Sequence, residues 1–123
     1  MDKNKIKQLK TTLQTFTGTQ EYFKIKPYDF VYTEGVQYLA NNAECYWLLN
    51  EIGLANMFSK AVKETTFQVW KLKVNTKTKE AELFLTDDDK ALIFIKKIQY
   101  TDFPLEEITL WLIDKTLILP SEY

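Results

Sequence analysis

Residues 66–100 read TFQVWKLKVNTKTKEAELFLTDDDKALIFIKKIQY, and their period decides the fold class. Apolar and polar residues alternate through 66–75, 79–86 and 90–100, the two-residue period of half-buried strands, with polar turn residues between the runs. ITLWLID (108–114) continues the pattern, and TLIL (116–119) is long enough for a short fifth strand. Charge suggests the register of the first pair. Lys71 opposite Glu82 and Lys73 opposite Glu80 sets Trp70 by Leu83 and Leu72 by Ala81 on one apolar face. Across the DDDK turn the same face continues with Leu85 by Leu92 and Leu83 by Phe94. The expected sheet is an antiparallel meander of four to five strands over about 66–119.

Ahead of the sheet the period lengthens. Residues 2–15 space Ile6, Leu9 and Leu13 three or four apart among Lys3, Lys5, Lys7 and Lys10, which predicts a Lys-rich helix stopping near Gly18. EYFKIKPYDFVY (21–32) reads as a short strand or extended arm broken at Pro27. Helices are expected over about 33–58. Thr33 precedes Val36, Leu39 and Ala40 at helical spacing, and Glu34 in the first turn complements the helix dipole. ECYWLLNEIGLANMF (44–58) is apolar nearly all round, as a central buried helix would be. The sum is one α+β domain spanning 1–123, its N-terminal helices packed on one face of the meander.

Composition narrows the chemistry. Apolar residues make up 46 % of the chain and aromatics 15 %, enough for a packed core in 123 residues. No apolar run reaches the roughly 18 residues of a membrane span. The single cysteine, Cys45, permits no internal disulfide, so a cytosolic protein away from membranes is expected. There is no histidine, which removes Ser-His and Cys-His nucleophiles and imidazole metal sites. All sixteen cations are lysines, so no bidentate guanidinium clamp or arginine finger exists. Charge is also uneven along the chain. Residues 1–79 carry twelve Lys against seven acids, and residues 80–123 carry four Lys against ten acids.

Two charged tracts are candidate contact surfaces. Lys3, Lys5, Lys7, Lys10, Lys24 and Lys26, interleaved with Tyr22 and Tyr28, have the cation-and-aromatic composition of a surface for a partner or single-stranded nucleic acid. An arm packed on a core has the same composition, and Glu21, Asp29 and Glu34 interrupt the run. Asp87, Asp88 and Asp89 form a possible acidic contact. Clustered Asp at a hairpin tip is also ordinary turn chemistry, and the spaced ligands and glycine of a calcium loop are missing. No catalytic residue, metal site or cofactor is expected. Glu34, Glu44 and Glu51 offer a carboxylate pair for a small carboxylate-only enzyme, although solvated helix faces explain the same residues. One word occurs twice, as YTEG (32–35) and as YTDFP (100–104). Each copy reads as a packed Tyr followed by a capped turn, with Thr33 as a helix cap and Thr101 or Asp102 opening a helical turn at Pro104.

The phrases FTGTQEYF, VYTEGVQYLA, CYWLLNEI, TFQVWKL, YTDFPLEEI and LPSEY, in this order over residues 16–123, resemble a family of small uncharacterised bacterial proteins carried largely on plasmids and phages. The resemblance transfers no catalytic residue. It implies a mobile-element context, in which small non-enzymatic proteins bind host machinery. The expected function is thus a non-catalytic inhibitor or modulator of a host defence protein, such as a CRISPR effector nuclease or its guide RNA. An RNA- or DNA-binding accessory protein of the element is the alternative. The Lys-rich first helix lies outside the familiar phrases.

Cys45 lies among Trp47, Leu48 and Leu49 with no base to activate it. It is expected to react with thiol reagents in the native protein far more slowly than after denaturation, as a two-arm labelling time course would show.

Overall fold

The computed structural model describes residues 1–123 as four α-helices, seven strands and a closing 3-10 turn, Pro120–Glu122. In chain order these are α1 (Lys3–Leu13), β1 (Tyr22–Lys24), β2 (Val31–Thr33), α2 (Glu34–Asn42), α3 (Tyr46–Phe58), α4 (Lys60–Lys63), β3 (Phe67–Val74), β4 (Ala81–Thr86), β5 (Leu92–Ile98), β6 (Glu107–Ile113) and β7 (Thr116–Ile118). The class is α+β, but the sheet is larger than the expected meander and is mixed. Its order is β1-β2-β7-β6-β3-β4-β5, with β2 and β7 parallel and every other pair antiparallel.

The meander reading fails at β6. This strand pairs with β3, not with its chain neighbour β5. A tight hairpin needs two to five residues, whereas the segment 99–106 is long enough to cross the ends of two strands. It is tied down on the way: Thr101 N–H donates to Lys79 O at 2.8 Å, and Val74 N–H to Glu106 O at 2.8 Å. Phe103 and Leu105 anchor it by burial. β5 is thereby left at the sheet edge, where Lys96 and Lys97 suit a strand that must not pair further.

Both hairpin registers sit two residues from the expected ones. Lys73 faces Glu82, Leu72 faces Leu83 and Trp70 faces Leu85. The cause is the turn. Asn75 Oδ1 accepts the N–H groups of Lys77 and Thr78 at 3.0 and 3.2 Å, Asn75 N–H reaches Glu80 O, and Lys79 takes the left-handed φ of 68°. In the next hairpin Asp87 Oδ1 accepts from Asp89 and Ala91, both at 2.9 Å, and Leu85 faces Phe94 with a bulge before Thr86 and Leu92. A shift of two residues preserves each side chain's face, so the apolar face survives the correction. The expected Lys71–Glu82 pair does not: Lys71 Nζ lies 3.1 Å from Glu107 instead.

Leu48, Leu49 and Ile52 of α3 join Trp70, Leu72, Leu83, Leu85 and Leu110 of the strands in one buried core. A polar bolt fixes α3 and α4 to β3. Buried Gln68 donates from Nε2 to Asn56 Oδ1 (2.7 Å) and Val62 O (2.9 Å), while its Oε1 accepts from Trp70 Nε1 (2.8 Å). Tyr28 lies flat on α3 where Gly53 has no side chain, and its hydroxyl donates to Asn50 Oδ1.

The start of α2 gathers three distant stretches. Thr33 Oγ1 caps the helix by accepting from Val36 N–H at 3.3 Å and donates to Glu122 Oε1 at 2.6 Å. Glu122 also accepts from Leu119 N–H (2.9 Å) and Gly35 N–H (3.3 Å). Glu34 Oε1 accepts from Gln20 N–H (2.6 Å) and Glu21 N–H (3.1 Å). The first copy of the repeated word is therefore a helix cap. The second is not: 100–104 forms no helical turn, and Thr101 Oγ1 accepts from Phe103 N–H at 3.1 Å within an irregular crossing.

Three outcomes follow from these contacts. Glu122→Ala strands two N–H donors and a hydroxyl, and its expected cost in urea unfolding is roughly 1–3 kcal/mol. Gly53→Ala drives a methyl into the Tyr28 ring, with an expected loss of about 1–3 kcal/mol. The amides of Gln20 and Glu21 hold the Glu34 carboxyl below its ordinary value of 4.5. Its contribution is complete above that value and is lost as pH falls through the lowered one. Unfolding midpoints should thus drop on acidification below pH 4.5, with a shallower slope in Glu34→Gln.

Candidate functional site

A groove of about 880 Å³ opens between α1, the α2–α3 turn and the 99–106 crossing. Each wall has a local cause. α1 begins at Asp2, whose Oδ1 accepts from Lys5 N–H at 2.8 Å, and it presents Asp2, Lys5 and Gln8 to the groove. α2 stops at Asn42 because Glu44 takes φ 51°, a left-handed conformation that reverses the chain into α3. That reversal brings Tyr38, Asn41, Asn42, Glu44 and Trp47 to the second wall. Tyr46 Oη donates to Asn41 Oδ1 (2.8 Å), and Asn42 Nδ2 donates to Tyr38 O (2.8 Å). Tyr38 is further held by the Phe16 ring, with centroids 5.5 Å apart.

The crossing supplies the third wall, Tyr100 to Pro104. Phe103 is buried at its base, while Tyr100 is 65 % exposed on the rim. Tyr100 Oη donates to Asp102 Oδ1 at 3.0 Å, and the carboxylate raises the phenol's pKa. Lys79 Nζ approaches Asp102 from outside at 4.0 Å. The lining side chains carry one cation, Lys5, against the three anions Asp2, Glu44 and Asp102. Aromatic faces and side-chain amides make up much of the remainder. Such a surface can stack, accept hydrogen bonds and attract positive charge.

The residues singled out from the sequence are dispersed. Lys3, Lys5, Lys7 and Lys10 are all exposed on α1, and of these Lys5 lines the groove. Tyr22 and Lys24 stand on β1, where strand alternation turns them away from Phe23, which packs against the core. Lys26 is exposed beyond that strand. Tyr28 is committed to packing, its ring stacked on Phe30 at 6.0 Å and seated on Gly53. Asp87 closes the β4–β5 turn, and Asp88 and Asp89 are exposed beside it. No group of three or more metal-ligating side chains converges anywhere. Cys45 is wholly buried, its Sγ 3.7 Å from Leu39 O, and burial pushes the thiol pKa up to about 12. Glu34, read as a possible carboxylate of a catalytic pair, is occupied with amides of the chain.

The groove residues Tyr38, Asn41, Asn42, Trp47, Tyr100 and Asp102 were not among the candidates the sequence suggested. Their one signal was the second YTDFP word, whose apolar and acidic letters fit neither a strand nor a tight hairpin.

No curated protein and no solved structure matches the chain. A family model does, over residues 7–123, and it takes in most of the Lys-rich first helix that the quoted phrases leave out. The chain belongs to the family of unknown function DUF6876.

Proposed function

We propose that the protein is a non-catalytic binding protein whose groove grips a basic, extended segment of a protein partner. The carrying observation is the groove's lining: three carboxylates to one lysine, with the aromatic rings of Tyr38, Trp47 and Tyr100 and the amides of Gln8, Asn41 and Asn42. Peptide backbone offers donors and acceptors to the amides, its Lys or Arg side chains meet Asp2, Glu44 and Asp102, and stems or guanidinium planes lie on the rings. A phosphate backbone would meet net repulsion there. Host defence nucleases such as CRISPR effectors present Lys- and Arg-rich channels, and a protein of this kind would act by occupying one. That partner rests on the resemblance of the sequence phrases, which supports it by association. The exposed lysines of α1 favour the second reading, direct contact with a guide RNA.

Synthetic peptides alternating Lys or Arg with apolar residues, an acidic control peptide and a single-stranded RNA oligomer separate the readings in a fluorescence titration. The basic peptides are expected to bind, and Glu44→Lys with Asp102→Lys to weaken them at least about tenfold, a factor worth 1.4 kcal/mol, while the thermal midpoint stays put. Replacing Lys3, Lys5, Lys7, Lys10, Lys24 and Lys26 with Gln should not weaken peptide binding, because the only one of them in the groove, Lys5, repels a basic peptide. RNA binding that outcompetes the peptides, falls steeply with salt and vanishes in the six-Lys variant would replace the protein-partner reading with the nucleic-acid one.

A further inference from the structure

The side chains of the central strands that avoid the core form a second, separate surface. Alternation assigns it: Gln68, Trp70, Leu72 and Val74 of β3 are buried, so Phe67, Val69, Lys71 and Lys73 point to the opposite side. The observed registers arrange that side in rows across the sheet. One row runs Ile118, Trp111, Val69, Thr86. The next runs Thr109, Lys71, Phe84, Ile95. The last runs Glu107, Lys73, Glu82, Lys97. The apolar end is strengthened by the rings of Phe67, Trp111 and Tyr123, with centroids 5.3 to 6.1 Å apart and Trp111 edge-on to the other two. Ile95 remains 53 % exposed. An aromatic and aliphatic surface of this extent, beside a charged row, has the composition of a protein interface.

The charged row names the occupant. Its signs alternate strictly, minus, plus, minus, plus. Read in reverse, as a two-fold axis would present it, the row becomes plus, minus, plus, minus. Every position then meets its opposite: Glu107 faces Lys97 of the second copy, and Lys73 faces Glu82. We propose that the protein self-associates face to face through this surface, about a two-fold axis lying between β3 and β4 and roughly parallel to the strands. β3 then lies over β4 of the other copy, and β6 over β5. This covers the exposed Ile95 with the Thr109–Trp111 stretch and sets Lys71 over the Phe84 ring, a cation–π contact of the kind Lys73 already makes within the chain at 5.6 Å. The interface is isologous, as a closed dimer requires. Aligned sheets cross at roughly 30°, which displaces the outer pairs more than the central Lys73–Glu82 pairs, so the latter carry the register. The four overlapping strands, β6, β3, β4 and β5, of about seven residues each give a footprint of roughly 19 by 23 Å, at the lower end of stable interfaces once side-chain relief is added. The groove walls come from the helices and the crossing, so dimerisation leaves the groove open.

The test uses the whole chain and two single charge reversals, Lys73→Glu and Glu82→Lys, both at exposed positions. Sedimentation velocity at about 100 µM, a concentration that populates a micromolar dimer, is expected to show a dimer for the wild type and a monomer for each variant alone. Mixed in equal amounts, the variants should form a heterodimer. One central pair then has its signs exchanged, the new carboxylate at position 73 meeting the new ammonium at position 82, and the other central pair is the native Lys73–Glu82. Ile95→Lys, also at an exposed position, should abolish association without changing the thermal midpoint of the monomer. A monomeric wild type, dimers that persist in both single variants, or a mixture that stays monomeric would each overturn the proposal.

Discussion

Carboxylates at the start of α2 hold the two ends of the sheet's short side together. Glu34 reaches back to the amides of Gln20 and Glu21, ahead of β1, while Glu122 reaches in from beyond β7 to Thr33 and Gly35. The N-terminus of a helix leaves four N–H groups without partners and carries partial positive charge. Glu122, from elsewhere in the chain, meets both needs at Gly35 N–H, while Glu34 adds its own charge to the first turn and ties that turn to Gln20 and Glu21. β1, β2 and β7 are three residues each and bury little by themselves. They are kept in the sheet because this junction ties their flanks to a helix whose Val36, Leu39 and Ala40 are completely buried. Gly35 leaves the room that the Glu122 carboxylate and the Leu119 side chain occupy, and a side chain there would push both aside.

The division of charge along the chain does not survive folding. Four of the five ion pairs, Lys71–Glu107, Lys79–Asp102, Lys96–Glu51 and Lys115–Asp29, join the basic stretch 1–79 to the acidic stretch 80–123. β3 brings its lysines between β4 and β6, where Glu82 and Glu107 flank Lys73. Charge outside these pairs gathers locally: the lysines of α1 on one side, and Asp2 and Glu44 of the groove with the carboxylates of the β4–β5 turn on the other. These pairs are exposed or half-exposed, and a surface pair of this kind adds about 0–1 kcal/mol. Their consequence is the shape of the surface potential, which is patterned in small patches and not split into two poles.

Both surfaces of interest trace to one topological event, the crossing from β5 to β6. Because 99–106 passes over the ends of β4 and β3, it closes the third wall of the groove and delivers Tyr100 and Asp102 to it. The same crossing inserts β6 beside β3, which sets Glu107 next to Lys73 and completes the alternating row.

The sequence by itself determined what depends on near neighbours. The two-residue period placed the strands of 66–114, Thr33 announced its own cap, and the apolar density of 46–58 marked the buried helix, since backbone geometry converts spacing directly into a face. The missing His and Arg were equally plain. Tertiary structure alone decided which strands are neighbours, the two-residue offsets of the hairpins, the capture of β1 and β2 into the sheet, and the groove. Periodicity says which side of a strand is apolar but carries no information on what lies beside it, and turns such as Asn75–Glu80 set the register through side-chain hydrogen bonds that composition does not reveal. Trp47 looked like core in the sequence and Tyr38 carried no signal of its own, because an aromatic on a helix face reads the same whether it faces the interior or a groove. Only the chain crossing opposite them, fixed by long-range pairing with Lys79 and Val74, makes that difference.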